Sequence, residues 1–402
     1  MPKKRVLIFV PKFPVLSETF IERDISALIE LGDLDISVVY MELGSGAMSK
    51  NVKPHVFLRR LTFAEAFLSL SYFIYKPKRV FEAYKLVMGD RSKSVIGRFY
   101  LFLKSIGYTK VFESFKPQEI HVHFMSDPST MALVAATILD LPFSINAHAR
   151  DITEYPTLAK EKAEHAKFIS ICNSSALTAF SSQVGDVYRN KIHLVRHCID
   201  ETKLFASPLT LEKPKRLTII SGGARLEEKK GHTYLISAAK LLKDSGVDYE
   251  VHITGGGSLY PQLLEQVKDL GLENNVFIHG GVQGVSFDLI SQYYRIADIL
   301  VLPSLNLESG DADGIPNSLV EAAFAKVPII TTDAGSIKEF LSDGISGIIV
   351  SQKRSDLIAD AIKKVVLDAA LREKMVANAY RTATTMFGAI TTVQRLNSLL
   401  QS

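Results

Sequence analysis

The sequence predicts an α/β protein of two doubly wound, Rossmann-like domains, and three observations carry that expectation. Short apolar runs that suit buried parallel strands alternate with helical patterns. The alternation begins twice, at residues 5–10 (RVLIFV) and again at residues 217–221 (LTIIS). The chain has 402 residues, 47% hydrophobic and 22% charged, which is enough for two separate cores.

The first half reads in order. After the strand at 5–10, Thr19 and Glu22 stand in capping-box spacing, and Phe20, Ile25, Leu28 and Ile29 follow a helical period. Residues 36–41 (ISVVYM) give the second strand, completing the strand–loop–helix–strand opening of a doubly wound sheet. Residues 119–124, 142–147, 168–172 and 191–196 supply further strands, and residues 173–175 start a helix. His148, Ala149, Arg150 and Asp151 follow a strand's C-terminal end, where open sheets bind ligands. His121 and His123 lie within a strand and need a polar partner rather than a substrate.

Residues 59–116 interrupt this pattern. They hold twelve Lys or Arg, four Asp or Glu and thirteen aromatic residues. Basic, aromatic, amphipathic helices can lie in a bilayer interface. The plainer alternative is a helical excursion whose aromatics are core and whose lysines are solvated.

Residues 201–216 hold two prolines and no periodic pattern, and read as an interdomain linker. The second half then repeats the architecture. After the strand at 217–221 come Gly222, Gly223, Ala224, Arg225 and Leu226, then Lys229, Lys230, Gly231 and a helix at 232–243. Two cations between a strand end and a helix start suit a diphosphate. Residues 249–254 form a strand that ends in Gly255, Gly256 and Gly257. No G-x-G-x-x-G follows, because Tyr260 takes the sixth position, so a dinucleotide fingerprint fails. Strands are expected at 275–279, 299–302 and 327–332, and late helices at 354–368 and 370–385.

The richest stretch is 298–325 (DILVLPSLNLESGDADGIPNSLVEAAFA). A strand leads into an acidic loop with Glu308, Asp311 and Asp313, then Gly314, Ile315, Pro316 and a helix. Pro316 fits the first helical position. Gly314 admits a ligand close to the backbone. The free N–H groups of Ile315, Asn317 and Ser318 would form an anion site. Glu321, one turn on, leans back toward that site and can accept two hydrogen bonds from a vicinal diol such as a ribose. The plainer alternative is an acidic residue near a helix N-terminus, favoured by the dipole. The three acidic side chains could hold Mg²⁺, but carboxylates this close in sequence more often line a solvated loop.

Asp313, seven residues and then Glu321 resemble the E-x7-E signature of family 4 retaining glycosyltransferases, with Asp in place of the first Glu. The resemblance implies the GT-B fold, two doubly wound domains facing a central cleft. It implies that Arg225 and Lys230 hold a nucleotide diphosphate, that His148 reaches the donor sugar, and that Gly281 and Val282 lie near the base. Gly223, Gly314, Ile315, Pro316, Asn317 and Glu321 complete the expected donor site, and Asp313 is expected at the hexose hydroxyls. The segment PKFPVLSETFIERDISAL is similar to the first loop and helix of a subgroup that builds bacterial surface polysaccharides, which suggests Glu18 and Thr19 for acceptor contacts. Other members carry a Gly-Gly loop there and this chain does not. His197, Cys198, Ile199 and Asp200 stand where relatives have Asn-Gly-(Val/Ile)-Asp.

The expected domains are residues 1–200 for the acceptor, the linker 201–216, residues 217–385 for the nucleotide-sugar, and a helix at 386–402 crossing back. The expected function is retaining transfer of a hexosyl group from a nucleotide-sugar, UDP before GDP, to a saccharide or polyprenyl-linked acceptor. No cofactor or metal is expected, since Arg225, Lys230 and the helix start replace a cation. A nucleotide-sugar 2-epimerase of the same fold, or a sugar-nucleotide-binding scaffold, are the alternatives. Net charge of +4 does not argue for nucleic acid. Two cysteines do not make a disulfide framework. The start MPKKRVLIFVPKFPV does not read as a signal peptide, and no run of about 18 apolar residues suggests a membrane span. The expected location is cytoplasmic, with peripheral attachment to the inner membrane left open.

Overall fold

A computed structural model describes the chain apart from residues 1, 16, 17, 47, 149, 150, 153–156, 200, 207, 209 and 224. It divides into two units, residues 1–198 with 389–402, and residues 199–388. Each is built on one sheet whose described strand pairs are all parallel.

In the first unit the strands are β1 (Lys4–Phe13), β2 (Leu34–Leu43), β3 (Val56–Leu58), β4 (Glu119–His123), β5 (Phe143–Ala147), β6 (Ile169–Ile171) and β7 (Ile192–Leu194). Their order is β3-β2-β1-β4-β5-β6-β7. Ile8 pairs with Val38 on one side and His121 on the other. Chain order therefore reverses between β1 and β4, the switch point beside which such sheets bind ligands. Helices Val95–Glu113 and Asp127–Leu139 contribute to the core cluster on one face. Helices Thr19–Leu31 and Ala389–Gln401 cover the other, where Ile25, Leu28, Val393 and Leu396 are buried together. A buried carboxylate, Glu119, gathers Lys4 and Lys167, each at 2.8 Å, and both lysines also reach the Leu400 carbonyl. That node fixes the terminal helix to the sheet.

The second unit repeats the scheme. Its strands are β8 (Leu217–Ser221), β9 (Tyr249–Thr254), β10 (Val276–His279), β11 (Ile299–Leu302), β12 (Ile329–Thr332) and β13 (Ile348–Val350), in the order β10-β9-β8-β11-β12-β13. The switch point falls between β8 and β11. Helices His232–Asp244 and Ser355–Leu367 pack on one face, and Asn317–Phe324 and Ala369–Phe387 on the other. Within the expected linker, Glu201–Leu204 is a helical turn, and Leu204 is fully buried in the core of this unit.

Two short edge strands, β3 and β13, stand where the sequence pattern predicted none. Two helix starts need correction. The first helix begins at Thr19 with Glu18 as its cap residue and no side-chain cap. Thr19 Oγ1 instead accepts from Arg23 at 2.8 Å, and Glu22 accepts the Ser49 N–H at 3.0 Å. So Thr19 and Glu22 form no capping box. Pro316 is likewise the residue before the helix Asn317–Phe324, not its first member.

Candidate donor and histidine sites

The C-terminal unit carries most of the expected donor residues at the ends of β8 and β11. Leu305 N–H donates to the Lys229 carbonyl at 2.7 Å, which ties the two strand-end loops together. Lys230, buried, places Nζ 2.7 Å from Asp313 Oδ2. Lys229 pairs with Asp311 at 3.0 Å. Arg225 is half-exposed and reaches Glu227 at 3.2 Å. Two of the three acidic groups thus face lysines rather than one another.

Asp313 is placed by backbone. Gly335 has φ +53°, and a Cβ there would come 1.7 Å from the Asp313 carbonyl oxygen. Ser336 N–H then donates to the Gly314 carbonyl at 3.1 Å. The acidic loop is therefore pressed onto the turn after β12, and only glycine permits the approach.

The helix Asn317–Phe324 opens with Leu319 N–H donating to the Pro316 carbonyl at 3.0 Å. The Ile315, Asn317 and Ser318 amides precede that bond and have no carbonyl one turn back within the helix. Glu321 is buried and accepts from Tyr294 Oη at 3.0 Å. A Cβ on Gly223 would sit 3.4 Å from Glu321 Oε2, so the loop after β8 passes directly over this carboxylate. Tyr294 was missed in the sequence. It looks like one more apolar position of the helix Phe287–Ile296, and only its hydroxyl contact marks it.

Gly281 and Val282 follow β10; Val282 is exposed. The glycines after β9 have a packing reason. A Cβ on Gly256 would meet the Gly284 backbone at 2.2 Å, so this loop serves loop–loop contact.

The N-terminal unit holds a second constellation. His148 follows β5; Ala149 and Arg150 lie outside the described residues, as do Asp200 and Ala224. Its backbone N–H donates to Asp151 Oδ1 at 2.7 Å, and Met125 N–H donates to Asp151 Oδ2. Burial pushes the Asp151 carboxyl up to about 7 against those two bonds. Lys162, buried, donates to the carbonyls of Met125 and Ser126 and to Thr157 Oγ1. Burial brings it down to about 7, despite Asp127, Asp90 and Asp151. The loops after β4 and β5 are thereby locked together.

The His148 ring lies against Phe20, Phe124 and His197, with centroids at 4.9, 4.9 and 5.0 Å. Its Nδ1 is 3.2 Å from His197 Nε2. His197 Nδ1 is 2.9 Å from Asp24 Oδ2, and Cys198 N–H donates to Asp24 Oδ1 at 3.0 Å. Burial would raise Asp24, but His197 and the Cys198 bond hold it below the usual carboxylate range. Burial would lower His197, but Asp24 raises it to about 10. Burial, followed by the charge on His197, pushes His148 well below 6.5. Behind it, His121 bonds Ser144 at 2.9 Å and stacks on Phe168. Donor atoms of His148, Cys172 and His197 all lie within 4.8 Å of one another, close enough to share a metal ion. Glu18 and Thr19 adjoin Phe20 at the start of the first helix.

Residues 205–382 match the family described as glycosyl transferases group 1. The amylovoran biosynthesis glycosyltransferase AmsK of Erwinia amylovora is 34% identical over 37% of this chain and 35% of its own length. Alpha-D-kanosaminyltransferase of Streptomyces kanamyceticus is 25% identical over 60% of this chain and 66% of its own. The chain thus spans under two thirds of these relatives' length. WcaL of Salmonella typhimurium, named as a colanic acid biosynthesis glycosyltransferase, is 24% identical over 99% of this chain and all of its own. Among solved structures, Alr3699/HepE of Anabaena with UDP aligns over 99% of both chains, with a TM-score of 0.67 and 18% identity. Over residues 205–382 the chain is thus similar to the group 1 glycosyl transferases, and it has the GT-B fold.

Proposed function

We propose that the protein is a retaining glycosyltransferase that moves a hexosyl group from a nucleotide-sugar to a saccharide or lipid-linked acceptor in surface polysaccharide synthesis. The observation that carries this reading is the convergence of Lys230, Asp313 and the start of the helix 317–324, with Glu321 under Gly223 one turn away. Lys230 and the amides of Ile315, Asn317 and Ser318 meet the charge of the departing diphosphate, with Arg225 at the rim. Glu321, its carboxylate oriented by Tyr294, takes the ribose hydroxyls. Asp313 and His148 address the sugar. Gly281 and Val282 adjoin the base, and Glu18 and Thr19 the acceptor. The cations and amides take the place of a metal ion. UDP is the favoured base because the HepE structures hold UDP and UDP-glucose.

The acceptor side of the reading draws on the excursion at 59–116. Eight of its thirteen aromatic residues are exposed: Phe63, Phe67, Phe73, Tyr75, Phe81, Tyr84, Phe99 and Tyr100. That decides against a purely core role for the aromatics and favours a membrane surface carrying the acceptor. No described helix is long and apolar enough to cross a membrane.

The test is turnover with UDP-, GDP- and ADP-sugars, with and without a polyprenyl-linked oligosaccharide, and the product anomer read by NMR. Acceptor-dependent UDP release with retention is the expected result. Conversion of the donor to its 2-epimer without acceptor would overturn the reading.

A further inference from the structure

Asp24, His148, Cys172 and His197 come from four separate stretches and meet beside Phe20, whose ring lies 4.9 Å from His148 and 4.2 Å from His197. The hydrogen-bond geometry allows their protons to be counted. Ionised Asp24 can only accept. His197 Nδ1, 2.9 Å from it, therefore carries a proton. One further proton lies between His197 Nε2 and His148 Nδ1, 3.2 Å apart. The carboxylate beside His197 favours the charged ring, so that proton belongs to His197. His148 Nδ1 then accepts, and the single proton of its neutral ring sits on Nε2. That Nε2 is buried with no hydrogen-bond partner among the described residues. An unpaired buried donor carries an uncompensated desolvation cost, which an oxygen of a bound ligand relieves.

We propose that Asp24 and His197 are positioning residues that hold His148 in its Nε2–H tautomer and present this N–H to a hydroxyl or ring oxygen of the bound sugar. The ligand contact rests on the donor-sugar role given to His148 above; the tautomer does not. The other titratable groups facing this ring are His123, stacked at 5.8 Å, His121 behind it, and Cys172 beside His197. Burial lowers both histidines, so they bring no competing charge. A metal ion shared by His148, Cys172 and His197 is the rival occupant. The direct nitrogen–nitrogen hydrogen bond favours the proton.

The experiment is side-chain nitrogen NMR of the full chain labelled with ¹⁵N-histidine, at neutral pH and without substrate. His197 is expected as an imidazolium and His148 as the neutral Nε2–H form. In Asp24→Asn, His197 loses that state and His148 loses its single tautomer. An Nδ1–H His148 in the native protein, or unchanged His148 signals in Asp24→Asn, overturns the proposal. So does a thiolate-to-cobalt absorption band when Co²⁺ is added to the native protein and absent in Cys172→Ala. The kinetic arm uses two variants, because Gln keeps an N–H near the place of His197 Nε2 and Leu does not. His197→Leu is expected to lose kcat by about 10- to 100-fold, by analogy with loss of the outer partner of a metal-ligating His. His197→Gln should recover most of it, with the donor KM steady in both. Equal loss in Gln and Leu leaves no positioning role for His197. If the spectra hold and no variant affects transfer, the tautomer stands and the donor-sugar role of His148 fails.

Discussion

The two units share one architecture and differ in how their polar sites are assembled. In the C-terminal unit, Lys230, Asp313, Gly314 and Glu321 lie on loops and a helix start that directly follow β8 and β11. In the N-terminal unit, the network of Asp24, His148, Cys172 and His197 draws single residues from places up to 173 positions apart. A diphosphate, as proposed for Lys230 and the helix start, would be met by a run of backbone amides and adjacent cations, and such a site is written locally. A buried imidazole chain needs only that several strand ends meet, so its members leave no spacing in the sequence.

The largest effect that would sharpen this contrast is at Lys230. Lys230→Ala should cost about 2–4 kcal/mol of transition-state stabilisation, read as kcat/KM, because a buried, preorganised cation is lost. Arg225→Ala should cost less, since Arg225 is half-exposed and tied to Glu227. A larger loss at Arg225 than at Lys230 would place the diphosphate at the rim and undo the assignment.

Next comes Glu321→Gln. Loss of a charged acceptor should weaken free UDP by about 1.5–3 kcal/mol in calorimetry. The Tyr294 contact at 3.0 Å predicts that Tyr294→Phe weakens UDP in the same direction by a smaller amount. Unchanged UDP affinity in Glu321→Gln would remove the ribose role.

Legibility divides along the same line. Eleven of the thirteen described strands, and the placement of Arg225, Lys230, Asp313 and Glu321 on strand-end loops and a helix, could be read because their patterns are contiguous. Tyr294 could not, since an aromatic on an apolar stripe looks like core. His197 was visible only as a departure from Asn, and Asp24 not at all, since a carboxylate on a first helix looks solvated. Pro316 and Thr19 were misplaced by one position, because capping rules describe a preference and the surrounding loops decide the start.

The imidazole chain also predicts a pH signature. His197 is raised to about 10 in the folded chain, from an ordinary 6.5. Its contribution is full below pH 6.5 and is lost as pH rises through 10, at no more than ~1.4 kcal/mol per pH unit. Lys162, lowered to about 7, acts with the opposite sign above that pH. Asp151, raised to about 7, adds a loss between its ordinary 3.8 and 7. The measurement is therefore the stability of the native chain minus that of His197→Gln, from urea unfolding at successive pH values. The difference should shrink between pH 6.5 and 10. A difference that stays flat across that window would mean that His197 is neutral when folded.

On the surface, the excursion at 59–116 should bind anionic vesicles. Lys76 donates to the Ile138 carbonyl and Arg79 to Asp140, so neither is a free cation. Lys78, Lys85 and Arg91 are exposed. Replacing these three with Glu should weaken co-sedimentation by about 1 kcal/mol for each cation, and salt should weaken it in the native chain. Salt-independent sedimentation, equal before and after the change, would return the excursion to a helical insert without a lipid partner.

The smallest expected effect on nucleotide binding is at Asp313. Its carboxylate holds Lys230 at 2.7 Å, so the residue expected at the sugar and the cation expected at the diphosphate are already joined. Asp is one methylene shorter than Glu, and Gly335 lets the loop backbone press inward at this position. Backbone placement therefore offsets the shorter side chain. Asp313→Asn keeps the shape and the acceptor oxygen while freeing the Lys230 charge for a diphosphate. UDP affinity should stay level or tighten slightly, because the Lys230 charge that Asp313 shares in the free protein becomes available to the diphosphate. Turnover should fall, because the sugar end loses its carboxylate. If UDP affinity fell while turnover held, the Lys230–Asp313 pair would be a scaffold for the nucleotide, and Asp313 would have no role at the sugar.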